Sequence, residues 1–145
     1  MKMIICLLAL APLSALADET IAQKEAWASY DKMLEEKVAK VNSACGSKLT
    51  AAFDKASYTA FDPMKDRSQA ACRDVMNTLV AVCASPAGKE GVQKVARVTC
   101  RSNEARTGLV KSGSELIVDI SQTKTGIVGK EKGSYSWQSA IKELL

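Results

Sequence analysis

Residues 95–121 read VARVTCRSNEARTGLVKSGSELIVDIS, and the alternation of apolar and polar side chains along this stretch decides the fold class. From Val95 to Arg101, Ala96, Val98 and Cys100 point one way while Arg97, Thr99 and Arg101 point the other, the period of two of a half-buried strand. Residues 102–105 are polar and turn-like, and Thr107 to Lys111 is a second strand candidate. Ser112-Gly113-Ser114 makes a tight connection to the clearest strand, Glu115 to Ser121. There Leu116, Val118 and Ile120 are expected to face inward, with Glu115 and Asp119 outward. Three short strands joined in succession predict an antiparallel meander.

Upstream, the period changes to that of helices. Asp62-Pro63 offers an N-cap followed by proline at the first helical position. The helix it predicts runs to about Ala84, with an apolar stripe of Cys72, Val75, Met76, Leu79, Val80 and Cys83. Ser85-Pro86 ends it and starts a short, glycine-weakened turn through Val92. Residues 20–43 predict a long amphipathic helix: Thr20-Ile21-Ala22-Gln23 has the form of a capping box. Trp27, Tyr30, Leu34, Val38 and Val41 then recur at steps of three and four, and Gly46 marks the stop. Residues 48–61 admit either a strand or a helical turn; the alternation of Leu49, Ala51 and Phe53 favours a strand at 48–54. Downstream lies a Gly/Lys/Thr-rich loop at 122–134, then a closing helix carrying Trp137, Ala140, Ile141 and Leu144. Trp27 and Trp137, on apolar stripes at opposite ends of the chain, are expected to clamp the terminal helices together.

The fold class is therefore α+β: a long N-terminal helix, a disulfide-bearing central helix, an antiparallel β-meander of three or four strands and a short C-terminal helix. One disulfide-braced domain spans residues 18–145. Residues 1–17, MKMIICLLALAPLSALA, form a secretory signal peptide: Lys2 is the positive end, Ile4 to Leu13 the apolar run, and Ala15-Leu16-Ala17 the small-x-small cleavage pattern. That run falls short of the ~20 residues a bilayer span needs, and no later segment is apolar enough, so no membrane span is expected after cleavage. Export, to the periplasm or beyond the cell, makes disulfides the expected state of Cys45, Cys72, Cys83 and Cys100. Cys72 and Cys83 share a face of the central helix, but eleven residues separate them by about 16.5 Å along the axis. A disulfide needs its Cα atoms within ~7 Å, which excludes that pairing. If strands 48–54 and 95–101 run back along the helix, Cys45–Cys83 and Cys72–Cys100 are favoured over Cys45–Cys72 and Cys83–Cys100.

The chain has no histidine, which removes the commonest general base, the Ser-His and Cys-His nucleophile pairs and the commonest transition-metal ligand. No C-x-x-C occurs, so neither a thioredoxin-type nor a paired-knuckle zinc site is supported. Gly126 to Glu131 lacks the Ser or Thr after its lysine that a phosphate loop requires. No cofactor or metal is implied. What remains is an exported, non-catalytic binding or interaction module, with a histidine-independent hydrolase using carboxylates such as Asp54 and Asp62 as the alternative. The net charge is +4, and residues 86–132 hold nine basic against five acidic side chains. This places a possible surface for an unknown protein or an anionic envelope component on Arg97, Arg101, Lys124, Lys130 and Lys132. Nucleic acid is disfavoured, because none of the seven aromatic residues lies within the basic stretch to stack on bases.

Cleavage is expected between Ala17 and Asp18. N-terminal sequencing of exported protein checks it, and a product still carrying residues 4–13 contradicts it.

Overall fold

The computed structural model describes residues 19–124, 126–128 and 136–145. The expected signal peptide, Lys130 and Lys132 lie outside the described residues. The first helix, α1 (Ile21–Cys45), begins with both hydrogen bonds of its capping box, Gln23 N to Thr20 Oγ1 at 3.2 Å and Thr20 N to Gln23 Oε1 at 2.9 Å. It ends at Gly46, whose φ of 64° lets its N–H close on the Asn42 carbonyl at 2.9 Å. The Asn42 side chain accepts from Leu49 N and donates to Leu49 O, both at 3.0 Å, and so guides the chain into strand β1 (Thr50–Phe53). A single 3-10 turn at Lys55–Ser57 follows β1, and Tyr58–Phe61 does not extend the strand.

The central helix α2 (Ser68–Val82) starts five residues later than the sequence predicts. Asp62 instead caps one isolated turn, accepting from Met64 N at 3.0 Å. Asp66 then accepts from Ser68 N at 3.0 Å, just ahead of the N-cap Arg67, whose own side chain makes no capping bond. Helix α3 (Pro86–Gln93) is capped by Ser85 and is longer than a single turn. Strands β2 (Arg97–Ser102), β3 (Thr107–Ser112), β4 (Glu115–Ile120) and the two-residue β5 (Ile127–Val128) complete the sheet, and α4 (Trp137–Leu144) closes the chain.

The layout is α+β, with four helices and a sheet, but the sheet is mixed and not an antiparallel meander. Its order is β1-β2-β4-β3-β5, with β1, β2 and β4 mutually parallel; only β3–β4 is antiparallel. Alternation along a strand sets which face is buried, not which strand lies next door. Residues 103–106 carry the chain over the end of β4, so that β4 inserts between β2 and β3. Asn103 N donates to the Ile120 carbonyl at 2.9 Å at one end of β4, and Ala96 N to the Ser114 carbonyl at 2.8 Å at the other. The strand with the most buried side chains, Leu116, Val118, Asp119 and Ile120, thereby takes the middle of the sheet.

The helices pack on the face bearing Phe53, Val98, Cys100, Leu116 and Val118. Two disulfides tie the layers: Cys72 in α2 to Cys100 in β2, and Cys83 just past α2 to Cys45 at the end of α1. Such bridges belong to a chain folded in an oxidising compartment. No helix among the described residues is long and apolar enough to cross a membrane. The two tryptophans do not clamp the terminal helices. Trp27 is buried among Tyr30, Phe53, Tyr58 and Phe61, stacked on Phe61 at 4.1 Å, whereas half-buried Trp137 belongs to α4, which packs on α2 and β3. The aromatic side chains satisfy one another at the α1 end, which leaves no reason for a second tryptophan there.

At the α2–α3 turn, a Cβ on Gly88 would overlap the Val82 backbone carbonyl, whereas one on Gly126 meets open space. Gly88→Ala should therefore lower stability by about 2 kcal/mol, as overpacking against backbone does, and Gly126→Ala should change it little. Urea melts of the two variants decide this; equal midpoints contradict the packing at that turn.

Candidate functional site

Because β1, β2 and β4 run parallel, their carboxyl ends meet at one edge of the sheet, where open α/β sheets place their binding crevices. The loops that leave these ends, 54–67, 103–106 and 121–124, enclose a cleft of about 410 Å³. Its wall includes Tyr58, Phe61, Asp62, Asp66, Ser102 and Gln122. Lys65 and Glu104 add exposed charges.

Asp66 is the hub. One carboxylate oxygen accepts from the Tyr30 hydroxyl at 2.8 Å and from Ser68 N at 3.0 Å. The other accepts from the Ser68 hydroxyl and from Gln122 Nε2, both at 2.9 Å. Gln122 Oε1 in turn accepts from Arg67 N at 3.1 Å, so the loop after β4 is stitched to the start of α2. Burial, then the hydrogen bond to Asp66 and its charge, push the Tyr30 hydroxyl well above the usual phenol range.

Tyr58 differs. It is 9% exposed, and its hydroxyl is buried without a hydrogen-bond partner among the described residues. Burial raises its pKa above the usual phenol range, and the Ser68 hydroxyl beside it works to lower it. The charges of Asp66, Tyr30 and Asp54 add to it. Tyr58 is thus a neutral phenol that completes no hydrogen bond to a described residue.

The basic residues read from the sequence lie elsewhere. Arg97 and Arg101 sit on the sheet face opposite the helices, beside Glu115 and Asp119. Arg97 Nε lies 3.8 Å from Glu115, and Arg101 Nε donates to Asp119 Oδ1 at 2.6 Å. Lys124 follows β4 and donates to the Ala105 carbonyl at 2.9 Å. Lys124 thus bonds to the crossover at 103–106, whereas the two arginines pair with carboxylates across β2 and β4. Of the carboxylates, Asp62 lines the cleft, but Asp54 does not; Asp54 N donates to the Cys100 carbonyl at 2.9 Å and its carbonyl accepts from Ser57. The acids that the cleft does gather are Asp62, Asp66 and Glu104. No cluster of metal-ligating side chains occurs among the described residues.

Asp119, expected to face outward into solvent, is on the outward face yet has no exposed surface. Its cover is made by the guanidinium side chains of Arg101 and Arg106, each 38% exposed, so its desolvation is only partial. Arg106 donates two bonds to Oδ2, at 2.9 and 2.7 Å. Burial works to raise the Asp119 pKa, but the hydrogen bonds from Arg101, Arg106 and Asn103 outweigh it and hold the carboxyl below the usual carboxylate range. A folded pKa below the unfolded value near 3.9 means that the stabilisation is complete above about pH 4 and is lost as pH falls through the folded value. Asp119→Asn should therefore cost about 1–3 kcal/mol at neutral pH, with the gap to wild type closing below about pH 4. A gap that stays constant in acid, measured by urea unfolding, contradicts this.

No protein family, curated protein or solved structure matches this chain.

Proposed function

We propose that this chain is an exported, non-catalytic binding module whose small-molecule or side-chain ligand seats in the cleft at the carboxyl ends of β1, β2 and β4. The observation that carries the reading is the cleft itself, lined by Tyr58, Phe61, Asp62, Asp66, Ser102 and Gln122 where three parallel strands end. Behind that wall the Tyr58 hydroxyl is buried with no hydrogen-bond partner among the described residues, a state that costs about 1–3 kcal/mol. The Asp66–Ser68–Gln122–Tyr30 network supports the reading by holding the surrounding wall in one geometry. The absence of histidine and the separation of Asp54 from the cleft favour binding over carboxylate hydrolysis. Export through a leader cleaved after Ala17 fits the two disulfides.

Tyr58→Phe tests the reading. Removing a hydroxyl that no described residue bonds should leave the melting temperature unchanged or raise it. The same variant should weaken binding of whichever members of a panel of small alcohols, sugars, amines and carboxylates shift the backbone amide signals of Phe61, Ser102 and Gln122. A clear drop in melting temperature shows that the hydroxyl has a structural partner. A panel in which nothing shifts those amides removes the cleft as a binding site.

A further inference from the structure

We infer that the free edge of β1 receives an extended, basic peptide segment as an added strand, in a groove that shares no lining residue with the cleft. Among the described residues β1 ends the order of the sheet, and only its β2 side is paired. Successive residues of a strand turn their backbone groups to opposite sides. Thr50 N donates to the Ala96 carbonyl at 3.0 Å and Asp54 N to the Cys100 carbonyl at 2.9 Å, so the even-numbered residues serve β2. Leu49, Ala51 and Phe53 therefore turn theirs outward. At Leu49 the Asn42 side chain accepts from the N–H and donates to the carbonyl, as a neighbouring strand would. Ala51 and Phe53 have no such partner among the described residues. The edge is closed at its start and open beyond it.

The groove beside this edge sets the chemistry of the segment. It measures about 340 Å³ and runs between β1 and the side of α1 that carries Asp31, Leu34, Glu35 and Val38. Ala51 is in register with Val98 and faces the helices with it. An added strand places every second side chain over that face, where Leu34, Val38 and Ala51 offer an apolar floor. The rim is acidic. Asp31 and Glu35 line the groove and no lysine or arginine does, in a chain whose net charge is +4. Lys55 reaches Asp31 at 2.8 Å from beyond the end of β1, whereas exposed Glu35 has no ion pair among the described residues.

Charge decides between the occupants of the edge. A second copy joining β1 to β1 about a two-fold axis would bring both Glu35 carboxylates to one seam, with no cation lining it. A peptide with an apolar residue between lysines or arginines meets all three features at once. Its backbone closes Ala51 and Phe53, its apolar side chain covers Leu34 and Val38, and its cation meets Glu35. Main-chain bonds then supply the affinity and the alternate side chains the selectivity. The strand itself, Thr50-Ala51-Ala52-Phe53, carries none of the lysines or prolines that commonly blunt an edge. Its four residues leave only two open positions, so the complex is weak.

Two probes test this: acetyl-Thr-Lys-Thr-Val-Thr-Lys-Thr-amide and its counterpart with Glu in place of both Lys, added while backbone amide signals and their hydrogen exchange are followed. In the free protein the Ala51 amide should exchange rapidly and that of Ala52, turned to β2, should be protected. The Lys peptide should shift and protect the Ala51 amide, and the Glu peptide should bind about fivefold more weakly. Glu35→Lys should reverse that order. Ala51→Pro removes the outward N–H at an edge position that tolerates proline, and should abolish binding of the Lys peptide. If that variant does not fold, two Lys peptides N-methylated on alternate residues, in the two opposite phases, take its place. One phase should lose binding and the other keep it, and equal binding of the two contradicts the ladder. An Ala51 amide protected in the free protein, no binding of the Lys peptide at about 2 mM, or an unchanged preference after Glu35→Lys overturns the inference. A dimer in sedimentation whose Ala51 amide is protected overturns the choice of occupant in favour of a second copy.

Discussion

The rest of the structure depends on the way α2 is held at both ends. Cys72, in its second turn, is bonded to Cys100 near the end of β2, and Cys83, just past its last turn, to Cys45 at the end of α1. Their Cα atoms are 5.3 Å apart in the Cys45–Cys83 bridge and 6.3 Å in Cys72–Cys100, so the two contacts fix the direction of the helix as well as its position. With Cys100 near the carboxyl end of β2 and Cys45 just before β1, α2 must run antiparallel to both strands. Its N-terminus then falls at the edge where β1, β2 and β4 end, and Asp66, Ser68 and Gln122 meet there. The cleft follows from that alignment. The bridges close loops of 38 and 28 residues, and each should contribute about 2–4 kcal/mol by restricting the unfolded chain.

The two faces of the sheet solve different problems. The helix-covered face is apolar, and the Cys72–Cys100 bridge crosses its centre. The opposite face carries cross-strand charge pairs, Arg97 with Glu115 and Arg101 with Asp119 in direct register. Arg106 reaches the same carboxylate from the crossover at 103–106. Asp119 thus holds together three segments: β2, β4 and the connection that lets β4 lie between β2 and β3. Of the basic residues read in the sequence as a surface for anionic partners, Arg101 is bonded to Asp119, which Arg106 also holds.

Much of the architecture was legible because it rests on local patterns. The capping box at Thr20, the glycine stop at Gly46 and the stripe through α2 each act within a few residues. The exclusion of a Cys72–Cys83 bridge needed only the rise of a helix. The order of the strands was not legible, since β2 and β4 share the alternation of any half-buried strand and the short 103–106 crossover resembles a hairpin turn in composition. The start of α2 was misread because Asp62-Pro63 and Asp66-x-Ser68 are both competent caps, and the choice between them is made by Gln122 and Tyr30, distant in sequence. The candidate site was hidden for the same reason. Tyr58 and Asp66 belong to the loop 54–67 and Gln122 to the loop 121–124, and only the parallel arrangement of the strands brings the two loops together. Asp54 and Asp62 flank one segment in sequence but are not brought to one wall.

The central claim is that α2 is tied at its N-terminal part to β2 and at its C-terminal end to α1. Peptide mapping of the oxidised protein without reduction tests it most directly. The account predicts two linked species, one joining the peptides that contain Cys45 and Cys83 and the other joining those that contain Cys72 and Cys100. Peptides linking Cys45 to Cys72 and Cys83 to Cys100, or a Cys72–Cys83 link, would contradict it, because the helix would then run the other way or would not be intact.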